Sequence, residues 1–398
     1  MKLLSIGAGK EQIYSIKKAI EKGHYVIAID GNKESEGFKL ANEYSVVDIS
    51  KENEVIEFAK KNNIEGILQV PIGRFLSTIG AVNDSLNLKG ISKEAALNCV
   101  NKTKTNEILF HNNIGCAGQI TLKTFDNMEL INKINDFGLP CVIKPKFGSG
   151  SSGVRIINNK AEVEKMVAEH LEENLTGEVI IEELLEGIEY GVDFVVIDNS
   201  GYLVLVREKE LTDIPFRQEV AFIGPANLED IIYDKVFNIM DKATKALGIN
   251  NTLVHADIMI KDNEVKIIEI SGRPSGLLLS SKIVPLSTGL DYLGLGVDIV
   301  TSNISKDLNL TNLEKNCVGI SFFNLNEGKV VDITDISEML KGNVIEYINN
   351  ININDELTII KKGKDLIDRG HVIVKGKTVD EVKLLFKNIL QNIKIENV

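Results

Sequence analysis

The sequence predicts a mixed fold, an α/β domain at the N-terminus followed by α+β domains, and three observations carry that expectation. Up to residue 70, short apolar segments alternate with helical patterns, which implies βαβ units and a parallel sheet. Apolar segments 253–261 and 265–270, joined by Asp262-Asn263, read as a β-hairpin. Residues 306–398 hold short strands with Gly and Asn turns and close on a helix, a compact α+β pattern.

In chain order, strands at 2–6, 25–29, 44–47 and 65–70 enclose helices at 11–21 and 52–61. The first turn, Gly7-Ala8-Gly9-Lys10-Glu11-Gln12, is G-x-G-x-x-Q and lacks the third glycine that a dinucleotide fingerprint uses for close helix packing. Asp30 stands where a ribose-binding acid would. These residues alone leave two readings, a Rossmann-like domain without dinucleotide and an NAD site. The phosphate-cradling G-x-x-x-x-G-K-[ST] pattern is absent. Residues 92–111 read as one helix carrying Lys102 and Lys104, followed by a strand at 118–122, a helix at 127–135 and a strand at 141–144.

Lys144-Pro145-Lys146-Phe147-Gly148-Ser149-Gly150-Ser151-Ser152-Gly153-Val154 comes next. Its glycines and serines cannot build core, and they offer backbone N–H and hydroxyl donors suited to phosphate oxygens. The helix at 161–173 presents Val163, Met166, Val167 and Leu171 to a core, with His170 beside them expected at the surface. A strand at 178–182 runs into an acid-dense stretch from Glu182 to Asp193, in which Glu189 and Asp193 fall inside a strand reaching residue 197. Charge inside a strand needs a reason. Residues 202–206 complete a hairpin. Residues 211–225, with Arg217 and Gln218 among aromatics, read as a substrate-facing loop, and 228–247 as a long amphipathic helix. Beyond the 253–270 hairpin, residues 277–283 and a helix at 291–301 close this part. Strands at 318–325, 330–333, 344–348, 357–360 and 370–374 and a helix at 378–393 follow.

Composition bounds the function. The chain has 398 residues, 43% hydrophobic and 26% charged, enough for two or three domains with their own cores. A net charge of −12 without a basic tract argues against a nucleic-acid partner, while local Lys and Arg leave small anions as substrates. Cys99, Cys116, Cys141 and Cys317 are scattered, as expected of reduced, mostly buried thiols rather than a disulfide or zinc framework. The N-terminus enters a strand at once and no apolar run approaches the ~20 residues of a membrane helix, so the expectation is a cytoplasmic protein with no membrane partner.

The hairpin carries the sharpest chemistry. If it centres on Asn263, Asp257 and Glu269 are cross-strand partners with Cβ atoms roughly 4.5–5.5 Å apart. Ser271 and Arg273 follow Glu269 at spacings of two and four, on its face if the chain stays extended. Two like charges so placed repel unless a cation or shared proton compensates. An exposed ion-pair rim and a site for divalent metal and phosphate are the two readings this leaves.

Taken together and in this order, the motifs resemble the ATP-grasp superfamily, in particular its carboxylate–amine ligases. The resemblance implies a Rossmann-like pre-ATP-grasp domain at 1–100, a two-lobed ATP-grasp domain at 101–305 with its lid lobe at about 117–187, and a small α+β domain at 306–398. The family's K-P-x-x-G-x-G-S-x-G-V lid is matched from Lys144 to Val154. Lys102 and Lys144 resemble the phosphate-contacting lysines, and Gly148, Ser149, Gly150, Ser151 and Ser152 the loop over the β- and γ-phosphates. Glu182, with Glu183 and Leu185 at the hinge, resembles the adenine-reading segment, and Glu189 the ribose-binding acid. Asp257 and Glu269 look like ligands of Mg²⁺ (or Mn²⁺), and Arg273, with Lys144, like the catalytic cations. Two positions depart: many members carry Glu where Asp257 stands and Asn where Ser271 stands. Arg217, His255 and Ser271 are assigned to the acceptor pocket.

The implied reaction joins a small carboxylic acid to an amine at the expense of ATP. Biotin-carboxylase-like and glycinamide-ribonucleotide-synthetase-like enzymes and a non-catalytic ATP-binding protein share the architecture, and a homodimer is left open. Because Gly7-Ala8-Gly9 and Asp30 are common in pre-ATP-grasp domains that bind no NAD, the resemblance favours the reading without dinucleotide.

Overall fold

The computed structural model describes residues 1–146, 153–174, 176–213, 217–360 and 363–396. The chain folds into two compact units that it visits in turn: Met1–Ala117, Glu186–Leu205 and Leu228–Glu314 form the first, Gly118–Leu185, Val206–Asn227 and Lys315–Val398 the second.

The first unit begins with a parallel sheet whose strand order is Glu43–Val46, Tyr25–Asp30, Lys2–Ile6 and Gly66–Ile67. Leu3, Leu4, Ile6, Val26, Ile27 and Ile29 are buried, because the flanking helices Ile13–Glu21 and Glu52–Lys61 cover apolar strands as a parallel arrangement demands. A helix at Leu76–Leu86, not expected from the sequence, follows. Residues 92–111 are two helices rather than one, Lys93–Val100 and Lys102–His111. Asn101 is extended, and its side chain accepts the Lys104 N–H, so it caps the second helix instead of continuing the first. The same unit holds an antiparallel sheet of Glu264–Ser271, Thr252–Lys261 and Ile188–Ile197. Buried Tyr292 ties that sheet to helix Tyr292–Val300, donating its hydroxyl to the Phe194 carbonyl at 2.8 Å.

In the second unit, strands Gln119–Lys123, Glu178–Glu183, Cys141–Pro145 and Arg155–Ile157 form an antiparallel sheet in that order. Helices Asn127–Phe137 and Val163–Glu173 cover it, contributing Leu130, Ile134, Val163, Met166 and Val167 to its core. His170 is buried, contrary to expectation: it lies seven residues after Val163 on the same helical face, and its Nδ1 pairs with the Gly153 carbonyl at 2.9 Å. Residues 211–225 are not one loop. Glu219–Gly224 is a buried strand that pairs antiparallel with residues 208–211 and with Cys317–Phe322. Strands Gly370–Gly376 and Val344–Asn349 extend this sheet and helix Val379–Leu390 packs against it, while Ile393–Glu396, not expected from the sequence, pairs with Gly328–Ile333 in a separate small sheet.

Candidate active site

The hairpin of the first unit is built on a tight turn. Asp262 and Asn263 both have left-handed φ, 49° and 64°, as a two-residue type I′ turn requires. The turn therefore pairs Lys261 with Glu264, and Ile258 with Ile267 three steps further on. A regular ladder would next set Asp257 against Ile268. Instead the register slips by one residue there, and Asp257 pairs with Glu269, Ala256 with Ile270 and His255 with Ser271. Ile268 is thus the extra residue of a β-bulge. The expected pairing of Asp257 with Glu269 holds, but through a two-residue turn plus a bulge rather than a turn centred on Asn263. Because side chains alternate with period two, the bulge puts Glu269 and Ser271 on the face of Asp257 and His255.

The neighbouring strand completes that face. Met259 pairs with Glu189, Asp257 with Gly191 and His255 with Asp193, so Glu189 and Asp193 point the same way as Asp257. Carboxylate oxygens of Glu189 and Asp257 lie within 4.8 Å of each other. Asp193 differs from the rest. It is fully buried and accepts the Ser275 hydroxyl at 2.9 Å, while the Ser275 N–H donates to Ser280 Oγ at 2.9 Å. That anchor for the segment after Arg273 supplies the reason for a charge inside a strand.

Basic side chains lie beside Glu269 and Asp257. Lys102 Nζ, at the start of its helix, lies 3.7 Å from Glu269 Oε2, and His255 Nε2 lies 3.8 Å from Asp257 Oδ1. Arg273 donates from Nη1 to the Pro274 carbonyl at 2.9 Å. Burial lowers the guanidinium's pKa, and the charges of Glu269, Asp257, Cys99 and Glu11 oppose that shift. At Gly272 a Cβ would come within 2.4 Å of Ile91 Cδ1, so a side chain there would need the tip of Ile91 to shift. Asp257 and Glu269 offer hard carboxylate oxygens, which would suit Mg²⁺ or Mn²⁺ rather than a soft metal.

In the second unit Lys144 and Glu182 form an ion pair in which both side chains are about nine-tenths buried, at 10% and 8% exposure. Val142 pairs with Glu182 and Lys144 with Ile180, which makes the two charges diagonal neighbours on one sheet face. Glu183 is exposed, and its carboxylate accepts the Gly118 N–H at 3.2 Å; Leu185 is half-buried just past the strand end. Arg217 sits between the strands of the 200–224 hairpin with φ of 44°. Gly148, Ser149, Gly150, Ser151 and Ser152 lie outside the described residues.

The first turn of the chain is closed on itself. Asp30 accepts the Ala8 N–H at 2.8 Å and the Asn32 N–H at 2.9 Å, and Gln12, in the place of the missing glycine, accepts the Gly9 N–H at 2.9 Å and donates to the Pro71 carbonyl. The acid that would hold a ribose is committed to the backbone of its own turn.

Two features escaped the sequence reading. Leu277 and Leu278 both have positive φ, 53° and 62°, a conformation costing bulky residues on the order of 1–2 kcal/mol each. Glu11, expected in the first turn and at the start of the helix at 11–21, accepts the Leu277 N–H at 3.2 Å across 266 residues of sequence. No local pattern announces either one.

A family model described as an ATP-grasp domain matches residues 137–281. That segment of the chain is similar to an ATP-grasp domain. It is 26% identical to a phosphoribosylamine–glycine ligase of Methanosphaera stadtmanae over 69% of this chain and 67% of that protein. Two further curated relatives are matched over less than half of their own length, 44% and 48%. Among solved structures, phosphoribosylglycinamide synthetase from Anaerococcus prevotii is similar with a TM-score of 0.73 and 26% identity, over 100% of this chain and 99% of that one. An L-amino acid ligase from Bacillus licheniformis shares the fold with a TM-score of 0.81 at 17% identity, over 100% and 98%. The expected mixed fold is thereby met. ATP and a divalent metal ion are what ATP-grasp ligases use. Among the described residues, no single helix is long and apolar enough to cross a membrane.

Proposed function

We propose that this chain is an ATP-grasp ligase and joins a small carboxylic acid to a small amine through an acyl phosphate, releasing ADP and phosphate. The observation that carries the reading is the shared face of Glu189, Asp257 and Glu269, set by the bulge at Ile268 and attended by Lys102 and Arg273. In this reading Asp257 and Glu269 hold the metal ion, and Glu189 takes the ribose hydroxyls through its two acceptor oxygens. A bound Mg²⁺ would offset charge on the phosphates during transfer.

A carboxylate is a poor electrophile, so the acid attacks the γ-phosphorus of ATP, the bond to ADP breaks, and an acyl phosphate results. Lys144 and Arg273 offset the charge developing on the transferred group. The loop Gly148, Ser149, Gly150, Ser151 and Ser152 is assigned to shielding the acyl phosphate from water. Glu182, Glu183 and Leu185 are assigned to the adenine. The amine then attacks the acyl carbon, Arg273 stabilises the oxyanion, and phosphate leaves as the C–N bond forms. Arg217, His255 and Ser271 are assigned to the acceptor pocket. The functional division at 1–100, 101–305 and 306–398 belongs to the same proposal.

Relatives named for joining glycine to a phosphoribosylamine and for joining amino acids both support an amino acid as one substrate. The test is ADP release over a matrix of amino acids and other small acids against amines, phosphoribosylamine included. Turnover is expected for at least one acid–amine pair and should require both partners. ADP release driven by bicarbonate without an amine would instead favour a carboxylase, and no release with any pair would overturn the ligase reading.

A further inference from the structure

The segment after Arg273 holds two adjacent leucines in a backbone conformation that side chains of their shape avoid, and the turn persists only if something outside it fixes it. Part of that support comes from within. The Leu279 N–H donates to the Gly276 carbonyl at 3.0 Å, and Ser275 is held by Asp193 and Ser280. The strained residues themselves donate elsewhere. The Leu277 N–H donates at 3.2 Å to Glu11, which enters from the first turn of the chain, and the Leu278 N–H lies close enough to the same carboxylate to favour its charged form. A Cβ on Gly276 would lie in ordinary contact with Glu11 Oε2, at 3.5 Å, so the carboxylate lies beside this segment. Burial raises the Glu11 pKa, while the two N–H groups and the Arg273 guanidinium act in the opposite direction. One carboxylate therefore touches the strained turn and shares its field with the cation four residues before it.

We propose that Glu11 is a positioning residue for the ligase reaction: its carboxylate clamps the strained turn at Leu277 and Leu278 and thereby fixes the placement of Arg273. The chemistry asks for this. Arg273 is of use only if its guanidinium is already in place when charge develops, and a segment that relaxed out of the left-handed region would carry it away. Glu11 touches no reacting atom in this proposal. It acts through the turn, and its consequence for turnover rests on the ligase reading above.

The test has two readouts on the full chain. Hydrogen–deuterium exchange of the peptide spanning 272–283 reports the clamp whatever the reaction is. Glu11→Ala should speed exchange there at least tenfold and leave the rest of the chain and the melting temperature nearly unchanged. Unaltered exchange overturns the clamp. In the ADP-release assay Glu11→Ala should lower kcat about 10- to 100-fold, with the KM for ATP within about twofold of wild type. Because glycine adopts positive φ without strain, adding Leu277→Gly and Leu278→Gly to Glu11→Ala should restore much of kcat, whereas Glu11→Asp, a shorter acceptor, should restore only part. Wild-type kcat in Glu11→Ala, or no recovery with glycine, overturns the positioning role. If the wild-type chain turns over no acid–amine pair, the ligase reading fails by itself, and the exchange experiment still decides the clamp.

Discussion

Two lysine–glutamate pairs, one in each unit, are held in opposite ways. Lys144 and Glu182 lie inside a sheet with almost no exposure, each the immediate partner of the other. Lys102 and Glu269 are 3.7 Å apart, and the glutamate is 39% exposed beside two further carboxylates. A charge buried in a sheet is retained only with its counter-charge, so the first pair is part of the fold. A loose pair at a half-open acidic face can exchange its cation for another at little cost to folding. The same residue chemistry thus adds a tie to the fold in one unit, beside the roles proposed for Lys144 and Glu182 at the nucleotide, and makes a replaceable contact in the other.

The contrast can be broken by mutation. The largest effect expected is on turnover. Glu269→Ala removes a metal ligand in the proposed site and should lower kcat by on the order of 10³ or more, since the metal supplies several kcal/mol to the transition state. Its melting temperature should stay within about 2 °C, because so exposed a group contributes little to stability. Full activity in that variant would remove Glu269 from the metal site. Next comes Lys144→Met, which leaves Glu182 buried without its cation and should destabilise the chain by about 3–5 kcal/mol in urea unfolding. Adding Glu182→Leu should recover most of that loss. Lys102→Ala should cost less than about 1 kcal/mol in the same experiment. Equal costs for the two lysines would end the distinction.

Smaller effects sharpen it. Burial pushes the Cys99 thiol up to about 12 in the first unit and the Cys141 thiol up to about 11 in the second. At pH 8 both should resist a thiolate-directed reagent in the native state and react only on unfolding, as mass spectrometry of the labelled peptides would report. Glu11 supplies the pH dependence. Its pKa is raised in the folded chain, so the fold favours its protonated form. Its contribution to stability is fully present below the ordinary carboxylate value and is lost as pH rises through the folded value. Wild-type stability should therefore decline relative to Glu11→Gln across that window and run parallel to it above. A constant difference between the two would show that Glu11 titrates as it does in the unfolded chain.

What the sequence made legible was local. Alternation of strands and helices up to residue 70, the turn at Asp262 and Asn263, and the facing of Asp257 and Glu269 depend on neighbours a few positions away. The break at Asn101 was hidden because a capping asparagine inside a helical pattern is easily read as a tolerated interior residue. His170 sits in the apolar stripe of its helix, yet its polarity suggested the surface; its burial follows from a partner, the Gly153 carbonyl, that no pattern names. The bulge at Ile268 was invisible because the assumed turn and the real one differ by an offset that the bulge cancels. The contact of Glu11 with Leu277 could be seen only in three dimensions.

The bulge has a consequence for how this hairpin tolerates change in length. Glu269 lies opposite Asp257 whether or not the surplus residue is present, because the bulge absorbs it. Substituting Ile268 alters packing only, whereas deleting it removes the surplus residue, and a regular ladder would then carry the next side chain, Glu269 itself, into the place opposite Asp257. Inserting one residue after Glu269 leaves that acid in place but turns Ser271 and Arg273 toward the opposite side. Lineages of this hairpin should therefore accumulate replacements freely at Ile268, while gaps between Glu269 and Arg273 should be absent.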